Sequence, residues 1–266
     1  RFADTFTKTY FRNMEKMMLE LNAVPDGGAA YKEAGKGSVE TSSGRLFNVN
    51  DENPPFDIND IAHSLSLLCR WNGQCKKFYS VAEHSIMVSE LMEKLKLGDP
   101  MEGLLHDATE AYLSDVPSPL KQFLPDWQSL DKTLEGKLRA WASIGDKTKG
   151  CKQADWVALF IEAIALMPSK GLGPQWADPA MSRDMAVKLQ ELFPVRCYTP
   201  RQAKIAFMKR YKELVRRKQA ERIRLAREER IKTCAHSYHK ETITNTDGSV
   251  TERERCWYCG HTKDAV

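Results

Sequence analysis

Two histidines and two aspartates are the residues of this chain best suited to chemistry. His106 and Asp107 are adjacent in Gly103-Leu104-Leu105-His106-Asp107-Ala108-Thr109-Glu110. His84 lies upstream in Tyr79-Ser80-Val81-Ala82-Glu83-His84-Ser85, and Asp155 lies downstream in Lys152-Gln153-Ala154-Asp155-Trp156. Two imidazoles and two carboxylates form a mixed nitrogen and oxygen donor set that suits a divalent transition metal of the Mn, Co, Zn or Fe class. An isolated His-Asp step is weak evidence, and the flanking patterns strengthen it. Residues 80–97 read as an amphipathic helix with Val81, Val88, Leu91 and Leu95 on one face, and His84 falls on that face. Residues 148–167 read as a second helix in which Asp155 shares a stripe with Cys151, Ala158 and Leu159. A carboxylate among apolar neighbours needs a partner, because an unpaired buried charge is costly. Residues 101–113 read as a third helix, in which His106, Asp107 and Glu110 can line one side. The competing reading is a satisfied core histidine with surface and cap acids.

These motifs resemble the HD-domain phosphohydrolases. The likeness rests on Tyr79-Ser80-Val81-Ala82-Glu83-His84-Ser85, on His106-Asp107-Ala108-Thr109-Glu110-Ala111-Tyr112-Leu113-Ser114-Asp115-Val116-Pro117-Ser118-Pro119-Leu120-Lys121, and on Lys152-Gln153-Ala154-Asp155. It spans roughly residues 45–195. The branch it most resembles comprises bacterial 5′-deoxynucleotidases and phage dATP triphosphohydrolases, which also carry an Arg-Trp pair, here Arg70-Trp71, before the first histidine. The resemblance implies an all-α HD core with His84, His106, Asp107 and Asp155 around the metal. It implies catalysis at Asp107 and Glu110, and a deoxynucleotide as substrate. Removal of the 5′-phosphate from a monophosphate and of triphosphate from a triphosphate both remain open, in either case controlling nucleotide pools. Glu110 would orient a water or protonate the leaving oxygen; the competing reading makes it a partner that orients His106. Arg70 suits a phosphate through its planar fork, and Lys121 is a weaker candidate for the same task. Trp71 could pack on a sugar or base, or simply in the core. The acid corresponding to Asp115 helps recognise the deoxyribose 3′-hydroxyl in the resembled nucleotidases. The resemblance also suggests a homodimer or higher assembly. Gly73 departs from the larger apolar residue of those relatives, so base preference does not carry over. Two other classes stay in play: a nucleic-acid-binding protein on an HD scaffold, and a hydrolase of a cyclic or signalling nucleotide.

The chain has 266 residues, 42% of them hydrophobic, enough for one well-buried core with appendages. No apolar run approaches the roughly 18 residues a membrane helix needs, so no membrane partner is expected. The opening Arg1-Phe2-Ala3-Asp4-Thr5 carries no signal-peptide pattern. Seven cysteines, dispersed apart from a C-terminal cluster, point to reduced thiols and a metal site in a cytoplasmic setting.

Four regions follow. Residues 1–44 form a partly flexible N-terminal segment, amphipathic over 1–21 and rich in Gly, Ala and Ser from Asn22 to Gly44. Residues 45–195 carry the helical core. It has an extended lead-in, a helix through Ile61, Leu65 and Leu68 capped by Asp57 or Asn59, and further helices at 128–142 and 182–192. No strands are expected in it. Residues 196–233 form a long helix opening at Pro200, with a thin apolar stripe of Ile205, Met208, Tyr211, Val215 and Ile223. That stripe could dock on the body or on a second subunit. Thr199 to Thr233 holds thirteen bases and four acids, a net +9 that leaves the remainder at −5. Such an arm could meet nucleic acid or a replication partner.

Residues 234–266 read as a zinc-ribbon-like module. A hairpin with the turn Asn245-Thr246-Asp247-Gly248 lies between Cys234-Ala235-His236 and Cys256-Trp257-Tyr258-Cys259. Cys234, His236, Cys256 and Cys259 would hold a structural Zn²⁺, with His239 or His261 as substitutes for His236.

Overall fold

A computed structural model describes residues 36–172 and 183–263. The expectations for residues 1–35 fall outside the described residues. The described protein is mostly helical, with two small antiparallel sheets.

The local elements begin where the side chains can satisfy free backbone N–H groups. Helix α1 (Ile58–Leu67) starts on Asp57, whose carboxylate accepts from the Asn59 N–H. Helix α2 (Val81–Lys94) starts on Ser80 and α3 (Pro100–Leu105) on Asp99 with Pro100 in the first turn. Two short helices, α4 (Glu110–Leu113) and α5 (Ser118–Lys121), precede α6 (Pro125–Trp141). Thr148 caps α7 (Lys149–Leu166), and α8 (Arg183–Leu192) follows. Helix α9 (Pro200–Thr233) opens with a complete capping box between Thr199 and Gln202.

Helix α2 is the hub. It packs against α1, α3, α7 and α9, so almost its whole circumference is buried, from Val81 through Val88 to Met92. Val81, Ala82 and Ile86 join one apolar cluster with Phe47, Ile61, Leu65, Leu104, Leu134, Leu138 and Phe207. Met87, Val88, Leu91 and Met92 join another with Cys151, Ala154, Val157, Ala158 and Ile161 of α7. His84 therefore rides on a helix that is enclosed on almost every side by the described residues. Gly103 sets how near α3 comes to it. A Cβ at this position would lie 2.8 Å from Met92 Sδ and 3.1 Å from the Ser89 backbone, so any larger residue would force Met92 aside and press α3 away from α2.

Three expectations are corrected. The segment 101–113 is not one helix: it breaks after Leu105, and 106–109 form turns. There Ala108 and Glu110 donate to Leu105 and Asp107, three residues back rather than four. Tightening of this kind rotates His106, Asp107 and Glu110 relative to an ideal α-helix.

The helical body also carries strands. β1 (Ser38–Glu40) and β2 (Leu46–Asn48) pair antiparallel, straddling position 45. Phe47 from β2 is fully buried and stacks on Tyr112 of α4 at 3.7 Å. Asp60 of α1 accepts from Ser42 and Ser43 in the connecting loop. Tertiary packing thus makes strands of a segment with little strand propensity of its own.

Finally, α9 docks only in part through the expected stripe: Met208 and Tyr211 pack half-buried against the main apolar cluster, but the fully buried residues lie on a neighbouring face. Its buried residues are Ala203, Phe207, Arg210 and Leu214, against α1, α2 and α3, while Ile205 and Ile223 are exposed. Arg210 made this face hard to read, because its charge interrupts the apolar spacing. It is anchored by the Ser89 hydroxyl at 3.0 Å and by Glu93 at 2.8 Å. Arg217 and Lys218 still pair with Glu93 and Asp99 of the body, and beyond them residues 219–230 are all exposed. The last unit is a three-stranded sheet, β3 (Tyr238–Thr244), β4 (Val250–Cys256) and β5 (Thr262–Lys263), in that order. Its hairpin turns through Asn245–Gly248, and Gly248 takes a φ of 82°. Among the described residues no helix is long and apolar enough to cross a membrane.

Candidate metal centre

The four residues proposed as ligands come from three places in the fold and meet at one point. His84 Nε2 lies 3.2 Å from His106 Nε2 and 3.1 Å from Asp155 Oδ1. His106 Nε2 lies 3.1 Å from Asp107 Oδ2, and the other two histidine–aspartate distances, His84 to Asp107 and His106 to Asp155, are 3.6 and 3.8 Å. Two ligands each about 2.1 Å from a shared ion stand about 3.0–3.4 Å apart at octahedral or tetrahedral angles. The observed spacings match that scale. His84, His106 and Asp107 alone satisfy the distances for a metal-binding group.

The far side of each ring settles which nitrogen faces inward. His84 Nδ1 is 2.6 Å from Glu162 Oε1, and His106 Nδ1 is 2.8 Å from the Gly103 carbonyl. Both acceptors require an N–H at Nδ1, which leaves the Nε2 lone pairs of two neutral rings pointing at each other. Two such lone pairs repel at 3.2 Å unless a cation or a proton lies between them. Burial by itself would lower the His106 pKa, but Asp107 and Asp155 outweigh it and raise the pKa well above the usual range. Asp107 and Asp155 are correspondingly held far below the carboxylate range: burial would raise them, but the two imidazoles prevail. The donor set therefore fits a divalent cation, and without one the site holds a proton in its place. Asp155, with 43% of its side chain exposed, forms the open edge of the cluster; both histidine rings are fully enclosed.

Glu162 was not anticipated from the sequence. It is completely buried on α7, seven residues and two turns beyond Asp155 on the same face. One oxygen accepts from His84, and the other accepts from Arg70 Nε at 3.0 Å. A lone carboxylate inside Ala158-Leu159-Phe160-Ile161-Glu162-Ala163-Ile164 was the available signal, since such a charge requires buried partners. Arg70 is thus held from behind, with Nη1 3.7 Å from Asp107 Oδ2. Burial opposes its charge, yet Glu162 and Asp107 raise its pKa further. The next three residues, Trp71, Asn72 and Gly73, all take positive φ, at 61°, 50° and 72°. Trp71 is half-buried in this left-handed turn.

Glu110 is buried, and its Oε2 takes no hydrogen bond among the described residues. Burial, then the neighbouring Asp107 and Asp115 charges, push its pKa well above the usual range. Lys121 Nζ lies 3.6 Å from Glu110 Oε1, beyond hydrogen-bond length, and offsets this only in part. Lys121 also sits 4.9 Å over the Trp127 ring. Asp115 is half-buried, raised by burial and by Asp107 while Arg70 opposes. It follows Ser114, whose φ of 68° reverses the chain at the end of α4. Glu110, Asp115, Lys121 and Arg70 thus act electrostatically on one another around the Asp107 side of the cluster. Glu83, beside His84, has a separate job: its carboxylate accepts from the backbone N–H groups of Arg196, Cys197 and Tyr198 and ties the lead-in of α9 to α2.

The C-terminal module assembles a second group, Cys234, His236, Cys256 and Cys259. Cys234 Sγ and Cys256 Sγ are 3.6 Å apart, and Cys259 Sγ is 3.3 Å from His236 Nδ1. Tetrahedral zinc would set these separations at about 3.8 and 3.6 Å. Desolvation would raise the Cys256 thiol, but the Cys259 backbone N–H and the His236 ring bring it down to about 5, a thiolate ready for a metal. His239 is turned away and stacks on Trp257 at 3.8 Å, and His261 stacks on His236 at 5.2 Å. His236 is therefore the histidine of this group.

No protein-family model matches the sequence. The chain is 34% identical over 180 residues to the uncharacterized protein YfdR of Escherichia coli (strain K12), covering 66% of this chain and 94% of YfdR. It is 31% identical over 187 residues to an uncharacterized protein of Rhodobacter capsulatus, covering 65% of this chain and 93% of that one. About a third of the present chain lies outside each match. At this identity, and with nearly the whole of YfdR spanned, the chain belongs to the same protein family as YfdR.

Proposed function

We propose that the protein is a metal-dependent phosphohydrolase of the HD type that acts on deoxyribonucleotides. The observation that carries the reading is the convergence of His84, His106, Asp107 and Asp155 beside a back-anchored Arg70 and a buried, hydrogen-bond-free Glu110 oxygen. The motif order resembles that of the HD phosphohydrolases, and neither relative's name bears on activity.

A divalent metal bound by the quartet would supply Lewis acidity toward a phosphoryl oxygen and lower the pKa of a water. The protein's own groups do the rest. Glu162 locks the tautomer of His84 and aims Arg70 with one carboxylate. The outer nitrogens of Arg70 are then free of positional freedom but available to a phosphate, since Glu162 takes Nε. Glu110, whose pKa is raised first by its burial, would donate its proton to the leaving ester or anhydride oxygen. Lys121 stands where it can accept the substrate's negative charge or the glutamate's after that transfer. Asp115 faces the sugar and hydrogen-bonds its 3′-hydroxyl.

The full-length protein, loaded with Mn²⁺, Co²⁺ or Zn²⁺, is incubated with a panel of deoxy-, ribo-, cyclic and 2′,3′-dideoxynucleotides, and the products are separated. Deoxynucleotides should release phosphate or triphosphate, and dideoxy analogues should react far more slowly. The absence of hydrolysis with every metal would overturn the enzyme reading. Preferred cleavage of a cyclic nucleotide would replace the deoxynucleotide assignment.

A further inference from the structure

Helix α9 carries more positive charge than its packing uses. Its buried face presents Ala203, Phe207, Arg210 and Leu214 to the body. On a helical wheel of 100° per residue, Arg201, Lys209, Lys212, Arg216, Arg227 and Arg230 lie within one 80° sector on the opposite side. All six are exposed. The four acids of the helix, Glu213, Glu221, Glu228 and Glu229, lie outside that sector. Three of them pair with bases on other faces: Arg210 and Arg217 with Glu213, and Arg224 with Glu221 and Glu228. The charge is therefore sorted into an acid-free stripe about 44 Å long.

The stripe does not end with the helix. Arg230, its last member, donates to the Tyr258 carbonyl at 2.6 Å. That contact brings the Cys256–Cys259 turn to the end of the same face. Trp257 and Tyr258, at the tip of this turn, are each 71% exposed. Trp257 is held from behind by His239, its ring 3.8 Å away and nearly parallel, so its outer face is a fixed apolar platform. Large exposed aromatic rings on the short turn between two candidate metal ligands contribute nothing to the core of this module.

We infer that this face binds single-stranded nucleic acid, with the α9 stripe following the phosphates and Trp257 and Tyr258 stacking on bases. Phosphate neutralisation and base stacking are the two contributions such sites combine. An anionic lipid surface fits less well, because the stripe carries only Ile205 and Ile223 as exposed large apolar residues to enter it. The inference is independent of the hydrolytic reading, since none of these residues belongs to the quartet or its neighbours.

The test uses the full-length, zinc-loaded protein and a fluorescent oligo(dT) of about 20 nucleotides, with duplex DNA of equal length and phosphatidylserine-containing vesicles as comparisons. Binding to the single strand should weaken steeply with salt. The triple variant Lys209→Glu, Lys212→Glu, Arg216→Glu should flatten the log Kd against log salt slope by about 2, at about 0.7 per lost phosphate contact. Trp257→Ala should weaken oligo(dT) about tenfold with zinc content unchanged. Both variants should keep the wild-type rate of any nucleotide hydrolysis. Absence of salt-sensitive binding, or binding that neither variant affects, overturns the inference. Equal affinity for duplex with no loss in Trp257→Ala overturns the stacking role and with it the single-strand assignment. Vesicle binding without oligonucleotide binding would assign the face to a membrane instead.

Discussion

Replacing Glu162 with glutamine isolates what the buried carboxylate does for the metal centre. The wild-type side chain accepts twice, from His84 Nδ1 at 2.6 Å and Arg70 Nε at 3.0 Å. An amide of the same shape offers one acceptor and one donor, while both neighbours are donors. One contact must become N–H facing N–H, or His84 must move its proton to Nε2 and present an N–H to the metal position. Either outcome leaves Arg70 or His84 misaligned at a site where the carboxylate is wholly buried. Loss of a group that orients a metal ligand typically weakens metal affinity by about 10- to 100-fold. Removing one partner of a buried charge pair costs about 3–5 kcal/mol of stability, and the retained amide hydrogen bond should hold the cost toward the lower end. The assay is calorimetric titration of Mn²⁺ or Co²⁺ into metal-free protein at pH 8, with thermal unfolding of the same samples. The expected result is weakened metal binding and a lowered Tm with the helical circular-dichroism spectrum retained. Metal affinity within twofold of wild type would refute the orienting role, whatever happens to stability.

Glu110→Gln should keep metal bound but lower kcat by roughly 10²-fold, because the amide cannot give up a proton at that position; unchanged kcat in steady-state assays would sink the acid role. Metal affinity should rise with pH, by about tenfold per unit while one proton is displaced from His106, whose pKa is raised by Asp107 and Asp155; titrations from pH 6 to 9 showing no dependence would contradict this. In the metal-free protein the same raised pKa stabilises the fold fully below the unfolded histidine value near 6.5, and that contribution is lost as pH climbs through the folded value. The Tm of chelated protein should therefore fall on the alkaline side, as a scan of unfolding against pH would reveal. Gly103→Ala should cost about 1–3 kcal/mol, since the added methyl meets Met92 and Ser89, and should weaken metal binding by shifting His106; a Tm equal to wild type would argue against the close approach of α3 to α2. Chelating zinc should unfold the 234–263 module alone, whose core otherwise rests on little buried apolar surface, and loss of the far larger helical signal in circular dichroism would contradict that independence.

The parts of this protein that were legible in its sequence are those whose cause is local. Asp57, one of the two caps read from the sequence, does cap the helix it precedes, because an N-cap acts within three residues. The hairpin turn at Asn245–Gly248 lies where Asn, Asp and Gly favour the necessary dihedrals. The order and flanks of His84, His106-Asp107 and Asp155 marked them as a set, because each motif carries its own residues for chemistry. What only the tertiary structure decided is long-range. Glu162 becomes the partner of His84 and Arg70 across 78 and 92 residues of sequence. The β1–β2 pairing and the choice of the Ala203, Phe207, Arg210 and Leu214 face of α9 each follow from a neighbour that packs against the segment. Periodicity reports that a face is apolar, but a buried ion with partners on another helix hides its face from that signal. The chain names its chemical groups locally, and only packing around α2 determines which of them touch.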